Sequence, residues 1–263
     1  MRVRLKKLLA IVISVVMVML LAPDIRVSAA TISYETTEVD TTVSEDYYIG
    51  SGGELIIKGT GKVTGNINIG AGNGKLTVEN GGTAGTVKCK GNIDNSGSIS
   101  DITANNATIK NTGYIYSLDA TSTALNNEGK IANYKASGGT CSVELSAGSE
   151  ITTFSGAQNS ESSVKITSYE GAKLGTANIY TQYVDTDSAG TVEITGSLIL
   201  YGEYDIPSGL NLTINDDTKL TSDTGYASWA VSCDGKKYLL PAVTFSDKKI
   251  SELYNTSTSV VCV

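Results

Sequence analysis

The side chains whose spacing most invites a chemical role are four asparagines, Asn80, Asn95, Asn111 and Asn127, which follow one another at steps of 15, 16 and 16 residues. Aligned amides can line a groove and hold a polar ligand through paired donors and acceptors, or they can hydrogen-bond to one another in a ladder. Gly82, Gly97, Gly113 and Gly129 stand two places further on in each case. Asn beside Gly suits a tight corner of the chain, and Gly allows unusual backbone angles or a close approach. The combination favours a structural ladder over a binding groove.

Catalytic chemistry is narrowly bounded. The chain has no His, and no Arg follows Arg26. Ser-His-Asp, Cys-His and His-metal sites are therefore excluded, and so is the bidentate Arg clamp on carboxylate or phosphate. Paired carboxylates, Lys and Tyr remain. The compact acid pairs are Asp185 with Asp187 and Asp216 with Asp217. Adjacent carboxylates on a strand point to opposite faces, whereas a hard cation wants several oxygens converging, so these pairs read as solvated turns. No cofactor and no metal is expected.

Tyr114 and Tyr116 flank Ile115. If Ile115 points inward, both rings point out, with Lys130 one repeat away, and flat exposed rings beside small polar residues can stack on sugar rings. Tyr114, Tyr116 and Lys130 are accordingly the candidate ligand-binding set. Tyr180, Tyr183, Tyr201 and Tyr204 form a second cluster whose register the sequence leaves open. Tyr134 should point inward.

The elements that must position these groups come from an internal repeat. Ile93, Asn95, Gly97 and Ile99 recur as Ile109, Asn111, Gly113 and Ile115, then as Leu125, Asn127, Gly129 and Ile131, each step being 16 residues. Ile102, Leu118 and Tyr134 form another column, and Ala104, Ala120 and Ala136 a further one. A hairpin meander does not require such strict spacing, but a solenoid does, since like residues stack from coil to coil at about 4.8 Å. The expected fold is all-β: a single-chain β-solenoid, that is a parallel β-helix, with coils of about 15–16 residues in its middle. Upstream, Val78, Asn80, Gly82, Ala84, Val87 and Cys89 continue the pattern at a step of 15, with Val63 and Ile69 hinting at one coil more. Downstream, Cys141 falls 16 after Leu125 before the register blurs.

That lattice also sorts the cysteines. Cys89 takes an Ala column and Cys141 the Ile/Leu column, about three coils or roughly 14 Å apart, too far for a bridge that needs Cα atoms within about 7 Å. Both are expected as buried free thiols. Cys233 and Cys262 lie together near the C-terminus, where a disulfide between them is an open alternative to two free thiols.

Arg2, Arg4, Lys6 and Lys7 precede an apolar run from Leu8 to Ala22, followed by Ser28, Ala29 and Ala30. This reads as a signal peptide over residues 1–30, since 15 apolar residues fall short of the roughly 18–20 of a spanning helix. Its removal takes five basic residues and one acid, leaving 15 lysines against 26 acids, a net charge of −11. Such a chain repels phosphate, so nucleic acid is no partner. The solenoid is expected over 31–222. Residues 223–263 are expected as a C-terminal cap or the start of a truncated second module, with a hairpin about Asp234-Gly235, a helix over 246–254 and a strand over 260–263.

Tyr48-Ile-Gly-Ser-Gly-Gly-Glu-Leu-Ile-Ile57 aligns with Asp205-Ile-Pro-Ser-Gly-Leu-Asn-Leu-Thr-Ile214, both reading as strand, Gly turn, strand. In these phrases the chain resembles bacterial secreted β-solenoid and adhesin-like repeat proteins. The resemblance implies a secreted, extracellular or cell-surface location and a non-enzymatic structural or adhesive role. The partner would be a glycan or another cell-envelope component, held through exposed faces, with no membrane span after signal cleavage. Two alternatives stand beside it. One is a polysaccharide-active parallel β-helix enzyme, a lyase or hydrolase, which the missing Arg and His disfavour. The other is a scaffold that self-associates through its solenoid ends.

Overall fold

Through the middle of the chain buried residues alternate with outward polar ones, and where two outward residues come in succession the chain turns a corner. In the strand Ser98–Asn105, Ile99 and Ile102 are buried while Ser100 and Asp101 between them are exposed. The same break recurs at Tyr116 and Ser117 within the strand Tyr114–Thr121. Alternation fixes which side chains enter the core, and its interruption sends the chain from one face of the molecule to the next.

The computed structural model describes residues 29–70, 72–223 and 229–254. Stacked parallel strands wind through about 10 turns of a β-solenoid. Each turn in the middle contributes to three faces. The first stacks Ala30–Ile32, Tyr47–Ile49 and Ile67–Ile69, and continues through 87–89, 102–104 and 118–120. The second stacks Thr36–Val39, Glu54–Ile57, Lys75–Val78, Asn92–Asn95, Thr108–Asn111 and Ala124–Asn127. The third runs from Thr42–Val43 and Lys62–Val63 through 83–84, 98–99, 114–115 and 130–131.

Inside, side chains of one kind lie on one another. Leu55, Leu76, Ile93, Ile109, Leu125 and Val143 form one column, and Val63, Ala84, Ile99, Ile115 and Ile131 another, all buried. Ile69, Cys89, Ala104, Ala120 and Ala136 make a third, whose small members let the first face approach the core axis closely. Tyr134 points inward as expected and stacks on Phe154, with ring centroids 5.2 Å apart and planes 7° from parallel. Val63 and Ile69 do extend the columns below, at wider steps of the chain.

Two register expectations are corrected. Asn95 stands over Val78, not over Asn80, because the corner from Val78 to Thr83 is two residues longer than the corner from Asn95 to Ser98. Asn80 is exposed in that longer corner beside Gly81, whose φ is +88°. Cys141 likewise misses the Leu125 column, which Val143 occupies. An irregularity after Ala120 sets Thr121 opposite Gly138, and the added residues shift everything that follows.

The phrase at Tyr48–Ile57 does form strand, turn and strand, with Gly53 donating its N–H to the Gly50 carbonyl. Its counterpart at Asp205 does not: residues 205–209 are loop, and only Leu210–Ile214 is a strand. At the C-terminal end, Ala230–Cys233 adds a parallel rung to Leu210–Ile214 and then turns through Asp234 (φ +49°) and Gly235 (φ +73°) into antiparallel Lys236–Leu239. The segment expected as one helix over 246–254 divides instead. Phe245–Lys248 is a strand lying antiparallel on Lys219–Ser222, and only Ile250–Tyr254 is helical. The expected strand over 260–263 and the expected signal peptide, up to residue 28, lie outside the described residues. No helix among the described residues is long and apolar enough to cross a membrane.

Candidate functional site

On the third face, Tyr114 sits between Ser98 below and Lys130 above, so its ring has a small neighbour on one side. Tyr114 is 41% exposed and Tyr116 55%, while Ile115 between them is fully buried and fixes both rings outward. Tyr114 and Lys130 border a shallow groove of about 510 Å³ with Asn80, Thr112 and Glu128. Of the expected set, Tyr114 and Lys130 are register partners on this groove, while Tyr116 stands outward at the corner beyond it. Lys130 is not free there: its Nζ lies 3.2 Å from Glu150. The same column continues with Lys173 and Glu193, 3.4 Å apart, giving an outward row of alternating charge.

Of the four asparagines only Asn80 borders that groove. Asn95, Asn111 and Asn127 are buried inside the second face. Asn95 Nδ2 donates to Asn111 Oδ1 at 2.7 Å, and Asn111 Nδ2 to Asn127 Oδ1 at 2.7 Å. Each amide also donates to a carbonyl at or beyond the corner: Asn95 to Tyr114, Asn111 to Gly113 and Lys130, Asn127 to Gly129. The column holds Val39, Ile57 and Val78 below and Leu145 above. Asn95 Oδ1, facing Val78, is a buried acceptor without a partner among the described residues.

The later tyrosines separate. Tyr180 and Tyr201 are register partners on adjacent turns, their rings 4.4 Å apart and 11° from parallel. Tyr204 follows on a loop and is 66% exposed. These three share an open groove with Gln158, Gln182, Glu203 and Asp223. Tyr183 belongs to the short 3-10 turn Thr181–Tyr183 and packs against the core instead. The 16-residue step could not have found this pairing, because the coil from Tyr180 to Tyr201 is 21 residues long.

The acid pairs serve turns. Asp185 Oδ1 accepts the Asp187 N–H at 2.8 Å, and Asp217 forms an ion pair with Lys249 at 2.6 Å that draws its carboxyl below the usual range. Asp216 stands near Cys233 and Asp234, and the Cys233 thiol donates to Asp216 Oδ1 at 3.6 Å. Burial, reinforced by that hydrogen bond and the nearby carboxylates, pushes the Cys233 thiol up to about 11, so it is protonated at neutral pH. Cys89, Cys141 and Cys233 are buried free thiols; Cys262, the partner considered for Cys233, lies outside the described residues. No family model, curated protein or solved structure matches the chain.

Proposed function

We propose that this protein is a secreted or cell-surface, non-enzymatic structural or adhesive rod that contacts carbohydrate through its outward faces. The observation that carries the reading is the pair Tyr114 and Tyr116, two rings 41% and 55% exposed on a strand whose intervening residue is locked in the core. Two exposed rings carried on one rigid strand offer large contact area at little entropic cost. Repeated faces on a rigid rod also allow several weak contacts to a polymeric ligand at once, and those multiply in avidity. The export signals read in the sequence support a ligand outside the cell, and the surplus of acids argues against phosphate-rich partners.

A glycan array probed with the full chain after export tests this. Binding to one or more glycans that weakens in the double variant Tyr114→Ala/Tyr116→Ala is the expected result. Uniform absence of binding would reduce the reading to a scaffold, and release of new reducing ends or unsaturated products from a polysaccharide panel would replace it with the enzyme alternative.

A further inference from the structure

We infer that the groove holding Tyr180, Tyr201 and Tyr204 is a second saccharide site, selective for neutral sugar chains; the inference rests on the carbohydrate-binding reading above and names a location and a ligand class for it. The stacked pair Tyr180–Tyr201 is formed by partner residues on adjacent turns, so its geometry is held by the backbone ladder and not by a flexible loop. Neither phenol hydroxyl has a hydrogen-bond partner among the described residues. The position above Tyr201 belongs to Asp223, since Ser222 pairs with Leu200 and the Asp223 N–H reaches the Leu200 carbonyl. Asp223 is also close enough for its charge to act with burial in raising the Tyr180 phenol.

The third ring is anchored as well. Tyr204 is 66% exposed, yet its backbone carbonyl accepts the indole N–H of fully buried Trp229 at 3.0 Å. Gly202, at φ +100°, turns the chain between Tyr201 and Tyr204, and a Cβ there would collide with the Gln182 side chain. The remaining lining groups are amides and carboxylates, with no lysine among the described lining residues. Sugar hydroxyls find acceptors in Glu203 and Asp223 and both donors and acceptors in Gln158 and Gln182, while the exposed Tyr204 ring offers a flat apolar surface. A uronate or phosphorylated chain would instead meet two carboxylates without a compensating cation.

Trp229 is the only tryptophan in the chain and its indole is bonded to the Tyr204 carbonyl, so its emission responds to a change at this loop. The test titrates the full chain with cello-, xylo-, malto- and chito-oligosaccharides, with polygalacturonate as the anionic comparison, following Trp229 fluorescence and calorimetric heat. A neutral oligosaccharide should bind and shift the emission. Tyr204→Ala, on an exposed loop where folding is not at stake, should weaken that binding by about tenfold. Tyr201→Ala should do the same, and Tyr169→Ala, at an exposed ring outside both proposed sites, should leave it unchanged. Binding that survives Tyr204→Ala but is lost in Tyr114→Ala/Tyr116→Ala overturns this site and leaves the broader reading standing. Tighter binding of polygalacturonate overturns the ligand class. No binding of any saccharide by the wild-type chain removes both.

Discussion

At the scale of single residues, the buried amides show how polar groups can be made safe inside a β-solenoid. Asn111 gives one hydrogen bond and receives another along the ladder. Asn111→Ala strands the Asn95 amide and the Asn127 carbonyl at once, and is expected to cost about 3 kcal/mol, read from the urea midpoint. Replacing Asn95, Asn111 and Asn127 together by Leu, the residue type this column carries at Leu145, should cost less than the single change, because no buried amide is then left half-paired. Cys89 gives a second residue-level prediction. Burial pushes its thiol up to about 11, against an ordinary value of about 8.5. The folded state therefore keeps a proton that the unfolded chain releases. Its contribution to stability is fully present below about pH 8.5 and is lost as the pH rises toward 11. Iodoacetamide at about pH 8 should modify Cys89 only after denaturant is added, and rapid labelling of the native chain would contradict its burial. The ladder and the buried thiol at Cys89 were legible in the sequence. Asn80 was misplaced because a corner can gain two residues without any change in the apolar pattern on either side.

At the scale of elements, the corners decide what the repeat can tolerate. Gly97, Gly113 and Gly129 follow the ladder asparagines closely, and none of them has a positive φ. Their requirement is close approach: a Cβ on Gly113 would run into the carbonyl oxygen of Gly97, one turn below. Gly113→Ala should therefore destabilise by about 3 kcal/mol or more, since the obstacle is backbone that cannot rotate away. Gly148, at φ +79° with open space around it, is the control; Gly148→Ala should cost only about 1 kcal/mol. Equal losses in thermal melts of the two variants would show that corner packing is not what fixes these glycines. The regular coils between residues 93 and 131 were readable because every corner there has one length. The irregularity after Ala120 and the longer coils beyond it were not, since apolar spacing inside a strand says nothing about loop length. That is why Cys141 was set in the wrong column and why the pairing of Tyr180 with Tyr201 stayed open.

At the scale of the whole molecule, the described C-terminal end departs from the parallel stacking of the coils. Phe245–Lys248 runs antiparallel along Lys219–Ser222, and Lys236–Leu239 along the last parallel rung. Exposed parallel edges invite pairing with other chains, and an antiparallel cover blocks that. A chain cut after Cys233 should accordingly associate with rising concentration in light scattering while the full chain does so less; equal behaviour would deny the segment its capping role. The hairpin was legible from Asp234-Gly235, whereas the strand Phe245–Lys248 carries a polar, charged sequence that looks helical in isolation and is held in place by its partner strand. The central claim is that inward residues build the rod and outward tyrosines meet a saccharide. The most direct measurement is amide chemical-shift mapping of the full chain titrated with the best neutral oligosaccharide. The account predicts perturbations confined to the outward tyrosines, Tyr114 and Tyr116 or Tyr180, Tyr201 and Tyr204, together with their immediate neighbours. Perturbations centred on surfaces without these rings, or none with any saccharide, would contradict it.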